Sequence, residues 1–230
     1  MKNLKFPIYV VLSFIVVLVM PDYIVAQILV HEEPLHRPVF QNDQIRILNV
    51  LLPPGDTTQY HIHHTPSVFI YFTSTTTGSQ LQGSTPSTST SAVGSIIYEN
   101  LAAPNLRIHR VWNMDKATLH VMDVELLYKD TGFVEKPIGV RDLKLEIDTS
   151  WVRAYRLKVS DGKTIKLRNK NSSLLFIAIN SSSIKMKQGG KTLDQNLKPG
   201  SFFEIKSRRF SLKNTNGASA HFALLEMPRK

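Results

Sequence analysis

The chain has 230 residues and no cysteine, and 28 Lys and Arg against 18 Asp and Glu give it a formal charge of +10. Disulfides, thiolate metal sites and cysteine nucleophiles are therefore excluded, so any metal must be held by imidazole, carboxylate or backbone groups. The charge is uneven: residues 1–140 hold 9 Lys and Arg against 11 Asp and Glu, a net of −2, whereas residues 141–230 hold 19 against 7, a net of +12. Such a field draws anions to the C-terminal half. Nucleic acid is not an expected partner, because no recognition motif is present and the basic residues alternate with apolar ones, as on solvated strand faces.

Lys2 and Lys5 precede an apolar stretch over 6–20, then Pro21 and Ile24-Val25-Ala26 before Gln27. This pattern predicts a secretory signal over 1–26 and an exported protein, periplasmic or secreted. The stretch is shorter than the roughly 20 residues of a membrane span, so no stable span is expected after cleavage. Residues 27–39 read as a solvated N-terminal arm carrying His31 and His36 beside Glu32 and Glu33.

Strand-like runs follow. Residues 45–52 are β-branched and aliphatic and end at Pro53-Pro54-Gly55-Asp56; further runs cover 68–73, 96–98, 106–112 and 118–127. No long helical period occurs after residue 27, so the fold class is all-β, a sandwich or barrel. Residues 73–95 are mostly Ser, Thr and Gly, with little apolar surface to bury, and predict a mobile loop or β-arm. It reads as a tolerated insertion more than as a lid. Residues 129–149 are charged, contain Pro137 and Gly139, and read as a connection; short apolar or alternating runs resume over 150–228. There is no Gly-x-Ser-x-Gly elbow, phosphate-cradling glycine loop or dinucleotide fingerprint.

Two histidine patterns carry the chemistry. In Gly55-Asp56-Thr57-Thr58-Gln59-Tyr60-His61-Ile62-His63, strand alternation places His61 and His63 on one face, about 7 Å apart. The second pattern is Pro104-Asn105-Leu106-Arg107-Ile108-His109-Arg110-Val111-Trp112-Asn113. A third imidazole from another strand would complete a facial set of nitrogen donors, which suits zinc, copper, iron or nickel better than calcium or magnesium.

Together these segments resemble the two motifs of the cupin superfamily. Leu106 and Tyr98 stand where glycines are usual, and Ser67 and Val68 stand where the family places an acidic ligand four or five residues after the His-x-His pair. The resemblance implies two cupin-type double-stranded β-helix (jelly-roll) barrels in tandem: a metal-site barrel over 40–128 and a degenerate, basic barrel over 150–228. In the second, Asn214 falls at the motif's terminal asparagine and Phe210 at its histidine, and His221 is the only histidine of that half.

The implied metal ligands are His61, His63 and His109, holding a divalent transition metal (Fe, Zn, Mn or Ni), with Asn113 closing a turn. Arg107 shares the face of His109 and is either a clamp for a substrate carboxylate or a salt-bridge residue. Gln59 shares the face of His61 and His63 and either binds substrate or a metal-bound water, or is a partly exposed strand residue. His120 lies on an alternating face with Met122, Val124 and Leu126 that should point inward; it is either a catalytic acid–base group or a hydrogen-bonded core histidine. Two functions stay open: a three-histidine metal enzyme of dioxygenase, isomerase or lyase type acting on a small anionic molecule, and a non-catalytic module that binds a sugar acid or similar anion. Pairing into a homodimer is a further habit of the family.

Overall fold

The computed structural model describes residues 27–169 and 172–228; the signal segment expected over 1–26 lies outside them. The first half contributes β1 (Ile28–Leu29), β2 (His36–Gln41), β3 (Ile45–Leu52), β4 (His61–His63), β5 (Ser67–Tyr71), β6 (Thr75–Leu81), β7 (Ser87–Ser91), β8 (Ile96–Glu99), β9 (Arg107–Asn113) and β10 (Leu119–Leu126). The second contributes β11 (Leu143–Asp148), β12 (Arg153–Val159), β13 (Thr164–Arg168), β14 (Ser172–Ala178), β15 (Ser182–Gln188), β16 (Lys191–Leu197), β17 (Phe202–Ile205), β18 (Arg209–Asn214) and β19 (Ala220–Pro228). Among the described residues the only helical element is a 3-10 turn, Val30–Glu32, and no helix is long and apolar enough to cross a membrane.

Each half is a two-sheet barrel. The first pairs an outer sheet, β1-β4-β9-β6-β7, with an inner sheet, β2-β3-β10-β5-β8. The second pairs an inner sheet, β11-β12-β19-β14-β17, with an outer one, β13-β18-β15-β16. The tandem jelly-roll architecture is therefore as the sequence predicts.

The two inner sheets lie back to back. Ile45, Ile47, Val68, Ile70, Met122 and Val124 of the first barrel share one buried cluster with Val152, Ala154, Leu175, Ile177, Ala223 and Leu225 of the second. Asn42 donates to Glu204 (3.0 Å) and Ser173 to Gln44 (2.6 Å) across the same seam. Consequently β10 is buried on both faces: Met122 and Val124 look into the seam, while Val121 and Asp123 look into the first barrel.

One expectation is corrected, and of the two alternatives for the Ser/Thr-rich stretch the β-arm is the one found. The segment 27–39 is not a solvated arm: β1 runs parallel to β4, β2 pairs antiparallel with β3, and His36 is buried opposite Val50. The Ser/Thr-rich stretch is a hairpin of β6 and β7, and β6 lies against β9 within the outer sheet. The backbone hydrogen bonds of the ladder, not apolar burial, order it. Gly78 faces Trp112, and a Cβ there would lie 2.0 Å from the indole, so glycine is required for the indole to lie flat on the strand.

The barrels also repeat in detail. Asn113 donates to Leu52 O and Ala117 O and accepts from the Asp115 N–H. Asn214 donates to Val159 O and Ala218 O and accepts from the Asn216 N–H. Buried Glu125 takes Arg46 (2.8 Å) and the Thr65 hydroxyl (3.1 Å); buried Glu226 takes Arg153 (3.6 Å) and the Ser172 hydroxyl (2.8 Å). A carboxylate sealed in a barrel needs such partners, and both halves supply them from matching strands.

Candidate metal centre

The β4–β9 ladder builds the site. His61 pairs with His109 and His63 with Arg107, so all four side chains enter the first barrel from adjacent strands. The ring centroids of His61 and His63 lie 5.0 Å apart, those of His61 and His109 4.7 Å, and those of His63 and His109 5.1 Å. The structure thus brings together the three histidines singled out in the sequence. It adds a fourth: the ring of His36, at the start of β2, lies 4.5 Å from the His61 ring at a tilt of 55°, and His36, His61 and His63 each offer a ligand atom within 4.8 Å of the others.

Three of the rings are held from behind by a hydrogen bond at Nδ1, and behind the fourth, His63, stands a buried carboxyl group without one. The Nδ1 of His61 lies 2.9 Å from Gln59 O, and that of His36 lies 2.7 Å from Glu33 Oε2. That of His63 lies 3.5 Å from Asp123 Oδ2, and that of His109 lies 3.4 Å from Ser79 Oγ. A carbonyl can only accept, so the proton of His61 sits on Nδ1 and its Nε2 is a bare lone pair. That Nε2 is buried with no hydrogen-bond partner. The Nε2 atoms of His63 and His109 face each other at 3.2 Å. Two lone pairs repel at that distance unless a proton or a cation lies between them. Imidazoles oriented by an outer carboxylate, carbonyl or hydroxyl are the usual support of a metal site, so the residues fit a divalent transition ion.

Electrostatics points the same way. Burial, then the nearby His36, lowers the His61 pKa to about 4. Burial, then His61, Arg107 and His36, lowers that of His109 to about 2. His63 is pushed well below its usual value by burial and then by His109, His61 and His36. The rings are therefore neutral at pH 7, the form that binds a metal. Burial alone would raise Glu33, but the His36 hydrogen bond and the N–H groups of Gln59 and Leu35 outweigh it and hold the carboxyl low. Asp123 is fully buried, and burial followed by the neighbouring Glu125 pushes it far above the carboxylate range.

The other predicted site residues divide. Arg107 lies at the half-buried rim and forms an ion pair with Glu99. The Gln59 side chain is exposed, and only its backbone serves the site, through the carbonyl behind His61 and the N–H to Glu33. His120 is not in the chamber. It lies on the seam face of β10, opposite to Asp123, against the Phe72 ring (4.6 Å), with Nε2 2.7 Å from Asn49 Oδ1 and Gly200 of the second barrel beside it. The alternation on β10 was real, but a strand buried on both faces does not reveal which face is the interior. His36 and Glu33 were noted in the sequence but assigned to a solvated arm, and Asp123, Ser79 and Glu99 were missed; Asp123 left a trace, as one of two acids in a strand otherwise rich in apolar residues.

No family model and no curated relative matches the chain. Solved structures do. A cupin 2 conserved barrel domain protein from Leptotrichia buccalis aligns at 10% identity over 83% of this chain and 87% of its own, with a TM-score of 0.50. A salicylate 1,2-dioxygenase from Pseudaminobacter salicylatoxidans aligns at 12% identity over 84% and 76%, with a TM-score of 0.57. An oxalate decarboxylase from Lactobacillus farciminis aligns at 10% identity over 82% and 78%, with a TM-score of 0.56. At these identities the likeness is one of fold: the chain has the cupin fold, with two barrels, and a histidine cluster of metal-binding type in the first.

Proposed function

We propose that the first barrel holds a divalent transition-metal ion on His61, His63 and His109, with His36 as a fourth nitrogen donor, and that this centre acts on a small carboxylate-bearing molecule in the cell envelope. The observation that carries the reading is the convergence of imidazole rings, three of them tied outward through Nδ1 and the fourth, His63, backed by the buried Asp123. His36 occupies the role left by the acidic ligand that Ser67 and Val68 replace. When bound, the ion supplies Lewis-acid or redox chemistry to whatever occupies its open position. The chain itself fixes the imidazoles, keeps them neutral, and sets one guanidinium, Arg107, at the rim beside them. A substrate carboxylate would take over the fork that Glu99 now neutralises. Salicylate and oxalate, the compounds in the names of two structural neighbours, are small carboxylates of this kind. The signal pattern read in the sequence of residues 1–26 supports the envelope location.

A second reading, a binding module without turnover, is favoured by His36 itself, because four protein nitrogens around one ion resemble a closed structural centre more than an open catalytic one. The first test is elemental analysis of protein purified without chelators or nickel resin, with about one ion per chain expected. A content below about a tenth, even after refilling with iron, zinc or manganese, defeats both readings. Turnover of small carboxylates by the loaded protein then separates them: binding without turnover selects the second.

A further inference from the structure

The second barrel carries its chemistry on the outside. The inward positions of its outer sheet are Ile165, Leu167, Ile184, Met186, Phe210 and Leu212, all core. The outward positions are cationic. Arg168 stands directly opposite Arg209, Lys185 opposite Lys213, and Ser211 lies between Lys166 and Lys187 in one row across three strands. All six cations are exposed. Asp194, 3.7 Å from Lys185, is the only acidic residue on the four strands. Like charges directly opposite each other destabilise a sheet, and a bound anion removes that penalty. The first barrel has no such face: where Arg168 pairs with Arg209, it pairs Ile62 with Ile108.

At one end of this face is a cleft of about 680 Å³, within the range of ligand sites. Lys166, Arg168, Lys187, Arg208 and Arg209 line it, beside the turn at Gly189 and Gly190. It lies at the end of the barrel where, in the first half, Arg107 and the histidines stand. We propose that this cleft and the adjoining sheet face bind an acidic polysaccharide, a sugar chain bearing carboxylate or sulfate groups. The cations form a grid about 7 Å apart along the strands and about 5 Å across them, which suits a repeating anion. Ser211 and the other hydroxyl and amide side chains among them suit a ligand rich in hydroxyls. Nucleic acid would need exposed aromatic platforms for its bases, and an anionic membrane would need apolar anchors; the strand residues facing outward supply neither.

The test uses the full-length exported chain with fluorescent polygalacturonate oligomers (carboxylate) and dextran sulfate (sulfate), with neutral dextran, a single-stranded oligonucleotide and phosphatidylserine vesicles as comparisons. At least one of the two polysaccharides should bind with an affinity that falls steeply with salt, and the one preferred identifies the group recognised. The exposed double variants Lys166→Glu/Lys187→Glu and Arg208→Ser/Arg209→Ser should each weaken binding about tenfold or more. Lys116→Glu/Lys144→Glu, with the same charge change as the first pair but off this face, should weaken it less than about threefold. Equal losses on and off the face, no binding of either polysaccharide at low salt, or tighter binding of the oligonucleotide or vesicles would overturn the proposal.

Discussion

In the first barrel Arg46, Glu125 and Thr65 form a buried ionic triad; in the second Arg153, Glu226 and Ser172 form the same triad on matching strands. On the outer-sheet strands β4 and β9 and their counterparts β13 and β18, and at Asp123, the halves diverge. Counted by ladder register, His61, His63 and His109 are matched by Leu167, Asn169 and Phe210, and Asp123 by Leu224. Phe210 packs against Phe176 and Phe203, so the space given to imidazoles in one half is filled with aromatic rings in the other. What both halves kept, the Asn113 and Asn214 turns and the ionic triads, belongs to the fold. What only one kept belongs to the site.

The comparison can be broken in four ways. Replacing His61 and His63 together by Ala should abolish metal retention, a loss of about 10³-fold or more in affinity if the centre is where the first barrel places it; unchanged metal content by mass spectrometry would move the centre elsewhere. Phe210→Ala, at the matching position of the second barrel, should destabilise the protein by about 3–5 kcal/mol in urea melts while each folded molecule keeps its metal. The third concerns pH. With a folded-state pKa of about 4 against an ordinary 6.5, His61 gives stability that is complete above pH 6.5 and lost as pH falls through 4. Metal-free protein should therefore weaken over that window, by about 3 kcal/mol from His61 with His63 and His109 adding to it, and the double-histidine variant, which keeps only His109 of the three, should weaken less. Smallest, Asp123→Asn should reduce metal affinity about 10–100-fold by loosening the His63 ring, whereas His120→Gln, on the opposite face of the same strand, should change it by less than about threefold, within the range of a remote substitution.

The sequence made the architecture legible because turns and alternation are local signals. Pro53-Pro54-Gly55 marked the end of β3, and the spacing from His61 to His109 survived as a register. What it concealed was non-local. Nothing near His36 reveals that a 3-10 turn and a bulged β2 return it to the chamber. For the Ser/Thr-rich stretch the choice between loop and β-arm stayed open because its order comes from ladder hydrogen bonds, which composition does not record. His120 was misplaced for a related reason, since alternation names two faces without saying which neighbour each will meet.

Because neighbouring side chains of β10 serve the seam and the chamber in turn, the packing of the half without the histidine cluster bears on the half that has it. Volume changes at Leu175, Ile177 or Ala223 press on Met122 and Val124 and so tilt Asp123 behind His63. A gene fragment encoding the histidine-bearing half alone would leave a five-stranded oily wall bare to water, and its product should clump before it could be assayed.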